Sequence, residues 1–425
     1  MTNVSADGAE KPASLYAWYV LAVLFAINVF NYIDRQILSI LMESIRTDLE
    51  LNDTQLGFLT GITFAFFYAV FGVPLARLAD RWSRRNVVVA SLALWSAMTA
   101  VCGLARTFPQ LLAARTAVAV GEAGCTPPAH SMLTDIFPSS WRVRALAIYS
   151  LGLPVGILIG LAAGGWINEH FSWRHAFMIV GLPGVALALL TWLTIKEPER
   201  KAIKSQGEVS AWGAFRQLWA VPSYRNIVIA SSLNAIGGYG ILQWTPTFFI
   251  RSHGMGTAEI GLYLGLATGI SGAIGVLGGG WVAEYLGRRN KAWYVLVPAI
   301  AMLVATPFYF SVFVAGSPQL AFLLFAIPGI LNYAYLSPVF ASVQLLAEPR
   351  TRALAAAILL FVMNLIGAGL GPQIIGLLSD LLEPSFGIES LRWALCIVVF
   401  AKALSSISYW RASRTLVADI TAREG

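Results

Sequence analysis

The sequence predicts an all-α polytopic membrane protein, with twelve transmembrane helices in two six-helix pseudo-symmetric halves. Three observations predict it: a shortage of charge, uncharged stretches of spanning length, and a motif that returns in the second half of the chain. Of 425 residues, 57% are hydrophobic and 12% are charged, where a soluble protein runs at roughly 25% charged. A mean hydropathy of +0.69 leaves too little polar surface to cover globular domains in water. With 14 Trp and 23 Phe the chain cannot stay solvated as a disordered polymer either. Asp, Glu, Lys and Arg are absent from 54–76, 86–105, 145–168, 226–250, 260–283, 353–379 and the 56 residues 292–347.

A spanning helix needs about 20 apolar residues. On that ruler the spans fall near 16–42, 54–79, 86–105, 109–134, 142–168, 173–196, 224–250, 258–284, 291–314, 319–346, 352–380 and 391–411. The 56-residue block holds two of them, because one helix of that length would be about 84 Å long. Gly316, Ser317 and Pro318 supply the turn between the two. The first thirteen residues are polar and the apolar run that follows is too long for a cleaved signal, so the first span is expected to remain.

Orientation follows the Lys and Arg asymmetry. One side collects Lys11, Arg77, Arg81, Arg84, Arg85, Arg142, Arg144, Lys196, Arg200, Lys201, Lys204, Arg216, Arg225, Arg288, Arg289, Lys291, Arg350, Arg352, Arg411, Arg414 and Arg423. The other has Arg46, Arg106, Arg174, Arg251 and Arg392. Both termini are therefore expected in the cytoplasm of a cell-membrane protein. The domains read as a tail 1–15, a first half 16–196, a linker 197–223, a second half 224–411 and a tail 412–425. The net charge of +7 is then a topology signal, and no aromatic-interleaved basic patch suggests nucleic acid. Cys102, Cys125 and Cys396 lie in apolar spans and read as small buried hydrophobes without a disulfide framework.

The repeat is explicit. Ala76-Arg77-Leu78-Ala79-Asp80-Arg81-Trp82-Ser83-Arg84-Arg85 follows span 2, and Gly280-Trp281-Val282-Ala283-Glu284-Tyr285-Leu286-Gly287-Arg288-Arg289 follows span 8. Arg142-Val143-Arg144-Ala145-Leu146-Ala147 matches Arg350-Thr351-Arg352-Ala353-Leu354-Ala355, and Ser172-Trp173-Arg174 matches Ser390-Leu391-Arg392. The paired loops, with an Arg in span 4 followed by Gly-Glu-Ala, resemble the major facilitator superfamily along the whole chain. Ala76, Ser83 and Tyr285 depart from its usual pattern. Asn31-Tyr32-Ile33-Asp34-Arg35, with Arg115 and Gly121-Glu122-Ala123, is similar to its Spinster branch, which is associated with export of lysolipids and sphingosine phosphate.

An ionised group at mid-bilayer costs at least about 2.5–3.5 kcal/mol, so charges inside spans are informative. Asp34, Arg35, Arg115 and Glu122 are such charges, all in the first half. Counted from the outer ends of their spans, Arg115 lies roughly 9 Å deep, Asp34 roughly 12 Å and Glu122 roughly 20 Å. Arg115 and Glu122 share a helix face but are separated by about 10.5 Å of rise, so they read as two stations on a pathway. Asp34 and Arg35 point about 100° apart, one towards a cavity and one towards a neighbouring helix. Two structural readings stand beside these: span 1 ends near Ile33 and leaves both as flanking charges, or Glu122 serves a purely structural ion pair. In the second half, Asn234, Tyr239, Gln243, Asn332, Tyr333, Tyr335 and Asn364 either line a headgroup pocket or make helix–helix hydrogen bonds. His130 and Lys402 read as snorkelling or packing near span ends.

In the repeated loops, the small residues permit a tight turn and Asp80 is placed to cap a helix N-terminus of the other half. The resemblance makes that helix span 11, entered at Arg352, and the loops a gate formed by Asp80, Arg81, Arg84 and Arg85 with Glu284, Arg288 and Arg289. A solvated charge cluster is the other reading of the second copy. Glycines along spans 5 and 8 suit close, sliding contacts.

The resemblance implies a secondary transporter working by alternating access, functional as a monomer in the lipid bilayer. The expected cargo is an anionic amphiphile such as a lysolipid, exported with proton coupling. Asp34 and Glu122 would carry the proton. Arg35, Arg115, Asn234, Tyr239, Asn332 and Asn364 would bind substrate. Proton-coupled carriage of a water-soluble organic anion or sugar phosphate is the alternative. No cofactor or metal is expected beyond the proton. A membrane enzyme or receptor is disfavoured because no HExxH, GxSxG, Walker loop or His-rich cluster occurs and a receptor would not require two matching halves.

Overall fold

The computed structural model describes residues 14–199, 211–348 and 351–424. Lys11, Arg200, Lys201, Lys204 and Arg350, and with them most of the first tail and the middle of the linker, lie outside the described residues. Every regular element among the described residues is helical. The first half comprises α1 (Leu15–Leu49), α2 (Asp53–Thr60), α3 (Ile62–Arg81), α4 (Arg84–Cys102), α5 (Phe108–Ala123), α6 (Thr126–Ile136), α7 (Ser139–Ser150), α8 (Gly152–His170) and α9 (Trp173–Thr194). Helix α10 (Ala211–Trp219) precedes the second half. That half comprises α11 (Pro222–His253), α12 (Thr257–Gly287), α13 (Trp293–Val314), α14 (Pro318–Tyr333), α15 (Leu336–Leu346), α16 (Arg352–Met363), α17 (Gly369–Phe386) and α18 (Ser390–Glu424).

Five of the twelve spans are made of two helices. The second breaks at Gly61, the fourth at Gly124 and Cys125, the fifth at Leu151, the tenth at Ala334 and Tyr335, and the eleventh at a π-helical turn, Asn364–Ala368. Breaks at membrane depth persist only where protein or a wet cavity satisfies the freed backbone groups. Nine helical stretches among the described residues are long and apolar enough to cross a membrane, and the last of them, Leu354–Arg423, holds two spans. The fourth and seventh spans are not among the nine. They carry Arg115 and Glu122, and Asn234, Tyr239 and Gln243.

Two boundaries differ from the sequence reading. Helix α1 does not stop at 42 or near Ile33. It continues to Leu49, where Glu50 adopts a left-handed φ of 52° and its N–H closes on Arg46 O. The segment 412–424, expected as a tail, extends α18 and packs Ala412, Leu416 and Ile420 into a core confined to the second half.

A larger core is shared by the halves, uniting Leu41, Trp95 and Phe177 with Trp244, Phe313 and Ile375. The halves meet through α8 with α12, α1 with α11, and α2 with α17. Helices α6, α7, α15 and α16, at the opposite end, pack chiefly within their own halves. The bundle is therefore closed at the end holding Asp53, Arg251 and Asp380. The α8–α12 seam is tight because it lacks side chains: a Cβ at Gly165 would sit 2.1 Å from Thr257 O, and one at Gly261 2.2 Å from Leu161 O.

A side chain at this seam must force the halves apart. Gly261→Val is expected to cost about 1–3 kcal/mol and to lower the thermal unfolding midpoint of the detergent-solubilised protein. Gly278→Val, where an added Cβ meets nothing within 4 Å, is expected to leave the midpoint within about 2 °C.

Candidate functional site

Asp34 and Arg35 lie in the interior of α1, fifteen and fourteen residues before its end at Leu49. Asp34 is 2% exposed and Glu122 is fully buried, so neither is a flanking charge. The four charges form a crossed cluster between α1 and α5. Arg115 Nη1 donates to Asp34 Oδ2 at 3.4 Å, and Thr99 Oγ1 on α4 donates to Asp34 Oδ1 at 2.6 Å. Arg35 Nε donates to Glu122 Oε2 at 2.5 Å.

Side-chain direction explains the crossing. Helical side chains lean towards their own N-terminus, so the long Arg35 reaches back along α1 to the deeper Glu122. Arg115, on the antiparallel α5, leans the other way to Asp34. Arg115 and Glu122 are thus not paired with each other, as the rise between them requires; each is bound to α1, where the Asp34 carboxyl also neighbours that of Glu122.

The pairs differ in surroundings. Arg115 is 3% exposed and sealed between helices; it faces Asp34, not an open cavity, unlike the substrate-holding position expected for it. Arg35 keeps 29% of its side chain exposed, and its guanidinium stands over Tyr32, Phe64 and Tyr68 at 5.6, 5.2 and 4.7 Å. Glu122 Oε1 is buried without a protein hydrogen-bond partner. Across from Arg35, Tyr239 on α11 donates to Asn364 Oδ1 at 3.1 Å, on the π-helical turn. Polar groups of both halves therefore converge mid-bundle.

Lys402 corrects the sequence reading. It is fully buried, not snorkelling, and lies well inside α18. Its Nζ donates to Asn234 Oδ1 at 3.0 Å and Asn332 Oδ1 at 2.5 Å. The signal was present: Lys402 falls midway along the apolar run 391–410.

At the closed end, Arg251 on α11 donates from Nη1 and Nη2 to Asp53 at 2.7 Å each, and from Nε to Glu43 at 2.7 Å. Asp380 at the end of α17 accepts from Asp53 N at 3.0 Å and Thr54 N at 2.7 Å, capping α2 across the interface. Ser379 Oγ donates to Asp53 Oδ2 at 2.6 Å. Sequence reasoning took Arg251 only as a flanking charge, since nothing local ties it to acids some 200 residues away.

At the other end Asp80, Arg81, Arg288, Arg289 and Arg352 are exposed. Arg84 and Arg85 serve their own half. Arg84 is 4% exposed and reaches Asp135, Ser131, Glu197 Oε1 at 3.0 Å and Pro198 O. Burial disfavours the charge of Glu197, yet its carboxyl is held below its ordinary range by the Arg85 N–H, the Ser83 hydroxyl and Arg84. In the second copy Arg288 donates to Glu284 at 2.9 Å as an exposed pair of one helix. The three cysteines are buried thiols.

Removing one partner of a buried pair strands the other. Arg115→Met or Asp34→Leu alone is expected to cost about 3–5 kcal/mol, and the double variant much less than the sum. Chemical unfolding of the four proteins measures this, and additive losses would contradict the pairing. Arg251→Ala removes about 2–5 kcal/mol of closure. With nitroxide labels at positions 50 and 383 in a cysteine-free background, electron–electron distances are expected to lengthen, and an unchanged distribution would count against the latch.

The chain matches the Major Facilitator Superfamily over residues 24–372. It is 34% identical over 422 residues to an MFS-type efflux pump of Mycolicibacterium smegmatis, covering 98% of this chain and 97% of that protein. Protein spinster homolog 1 of Homo sapiens is 27% identical over 432 residues, with coverage of 94% and 81%. Among solved structures, a bacterial homolog to the human lysosomal transporter Spinster, in an inward-facing and unoccupied conformation, superposes with a TM-score of 0.87 at 32% identity, covering 96% of this chain and 98% of that one. Sequence pattern and fold agree, and the chain belongs to the Major Facilitator Superfamily, as a membrane transporter similar to the Spinster proteins and not an enzyme.

Proposed function

We propose that this protein is a proton-coupled transporter that exports an anionic amphiphile of the lysolipid class by alternating access. The observation that carries the proposal is the Arg35–Glu122 pair: a partly exposed guanidinium held by a buried carboxylate whose second oxygen has no protein partner. An anionic head entering the cavity competes with Glu122 for Arg35. A carboxylate that loses its cation in a buried site is neutralised by taking a proton. Anion binding and protonation of Glu122 are therefore coupled at this pair, with Asp34 and Arg115 beneath as the second station.

The aromatic faces around Arg35 suit an amphiphile. Phe64 stacks on Tyr68 and Phe67 on Phe71, with centroids 6.0 and 6.4 Å apart along α3, offering an apolar path for an acyl chain beside the charged head. The excess of Lys and Arg supports a cytoplasmic Arg84 end; the conformation is then open to the cytoplasm and the Arg251 latch is an outer gate of the cell membrane. Asp80 would cap α16 when the inner side closes, as Asp380 caps α2 now. Export is the direction carried by the name of the efflux-pump relative.

The test is movement of fluorescent oleoyl lysophosphatidate in proteoliposomes under imposed pH gradients. Flux through the unmodified protein is expected to follow the gradient, and Asp34→Asn and Glu122→Gln to lose that response. Undiminished gradient-driven flux in both variants would falsify proton coupling at these residues.

A further inference from the structure

We propose that Lys402 is the charge in the second half that recognises the anionic head, a phosphate or carboxylate, with Asn332 as the side chain that moves aside for it. This deepens the reading above and rests on its anionic substrate. The argument begins with a balance. Asp34 and Glu122 offset Arg35 and Arg115, so the crossed cluster is neutral when its acids are ionised. Lys402 has no such offset. The acids from residue 224 onward, Glu259, Glu284, Glu348, Asp380, Glu383, Glu389, Asp419 and Glu424, all lie at or beyond span ends. Among the described residues the partners of Nζ are two amide oxygens and the ring of Tyr309, 5.2 Å from its centroid.

An ammonium offers three N–H donors. Two are used on Asn234 and Asn332, and the ring attracts the charge without supplying an acceptor. A fully buried cation without a counter-ion is costly, and an incoming anion relieves that cost where an amide only reduces it. Access is short. Asn332 is only partly buried, whereas Asn234 is 1% exposed. On α11 the facing residues are Gly237 and Gly238: a Cβ at Gly237 would lie 3.3 Å from Lys402 Cγ, and one at Gly238 3.9 Å from Nζ and 3.4 Å from Asn332 Oδ1. Bare backbone at these glycines leaves the partly exposed Asn332 amide as the side chain beside Nζ, and the next residue on α11, Tyr239, is 41% exposed. Rotation of that amide exchanges one neutral acceptor for an anionic oxygen. Arg35 from one half and Lys402 from the other then hold one head between them, so binding bridges the two bodies that must rock.

The experiment measures binding by the full chain in nanodiscs of three probes: oleoyl lysophosphatidate, monooleoylglycerol with the same chain and no charge, and glycerol 3-phosphate with the head alone. Lys402→Met is expected to weaken lysophosphatidate by at least about tenfold and to leave monooleoylglycerol unchanged, while Lys402→Arg retains most of the affinity. Equal lysophosphatidate affinity in the unmodified protein and Lys402→Met overturns the assignment and leaves the anionic reading standing. Tighter binding of monooleoylglycerol than of lysophosphatidate by the unmodified protein overturns the anionic reading itself. Glycerol 3-phosphate binding that depends on Lys402 and gains nothing from the acyl chain supports the site and names a water-soluble anion as its ligand. Binding of neither anion overturns the proposal. Should Lys402→Met fail to fold, Asn332→Ala, which removes the covering amide, is expected to tighten lysophosphatidate severalfold, and unchanged affinity would overturn the role given to Asn332.

Discussion

Charge taken out of water must be answered by charge or by hydrogen bonds, and in this fold that requirement sets the contact between α1 and α5. Asp34 and Arg35 are neighbours on one helix, Arg115 and Glu122 are two turns apart on the other, and only the crossed pairing leaves no ion of the four alone. The rotation of α1, the register of α5, the seat of Thr99 on α4 and the aromatic wall of α3 all follow from it. A buried pair is not a source of stability in itself. Its retention here is understandable as a switch that a competing anion can open.

The second half answers the same constraint differently. Lys402 is held by two amide oxygens and a ring, with no carboxylate partner among the described residues. The halves are therefore asymmetric: one holds two acid–base pairs, while the other presents a cation without a carboxylate.

Between the halves, closure at one end is made of a bidentate arginine, a carboxylate cap on a helix N-terminus and a glycine seam. The cap relates the end of α17 to the start of α2. The duplicated architecture offers the reciprocal relation, the end of α3 near Asp80 to the start of α16 at Arg352, at the opposite end of the same two spans. Both sets are polar or exposed surface that either conformation can solvate, which suits contacts made and broken in each cycle.

Much of this was legible in the sequence. Span number and the duplication are written in local composition, because the cost of placing a residue in hydrocarbon depends on that residue and its near neighbours. Asp34, Arg115 and Glu122 stood out for the same reason, and Lys402 had the same signal but was read as lying near a span end. The partners were not legible. Arg115 finds Asp34 and not a cavity, Arg251 finds Asp53, and Asp380 finds the start of α2, each across 80 to 330 residues of chain. What the sequence by itself determined is which groups water must be replaced for. Which groups replace it was decided only by tertiary structure, since pairing depends on how each helix is rotated and how far it slides along its neighbour.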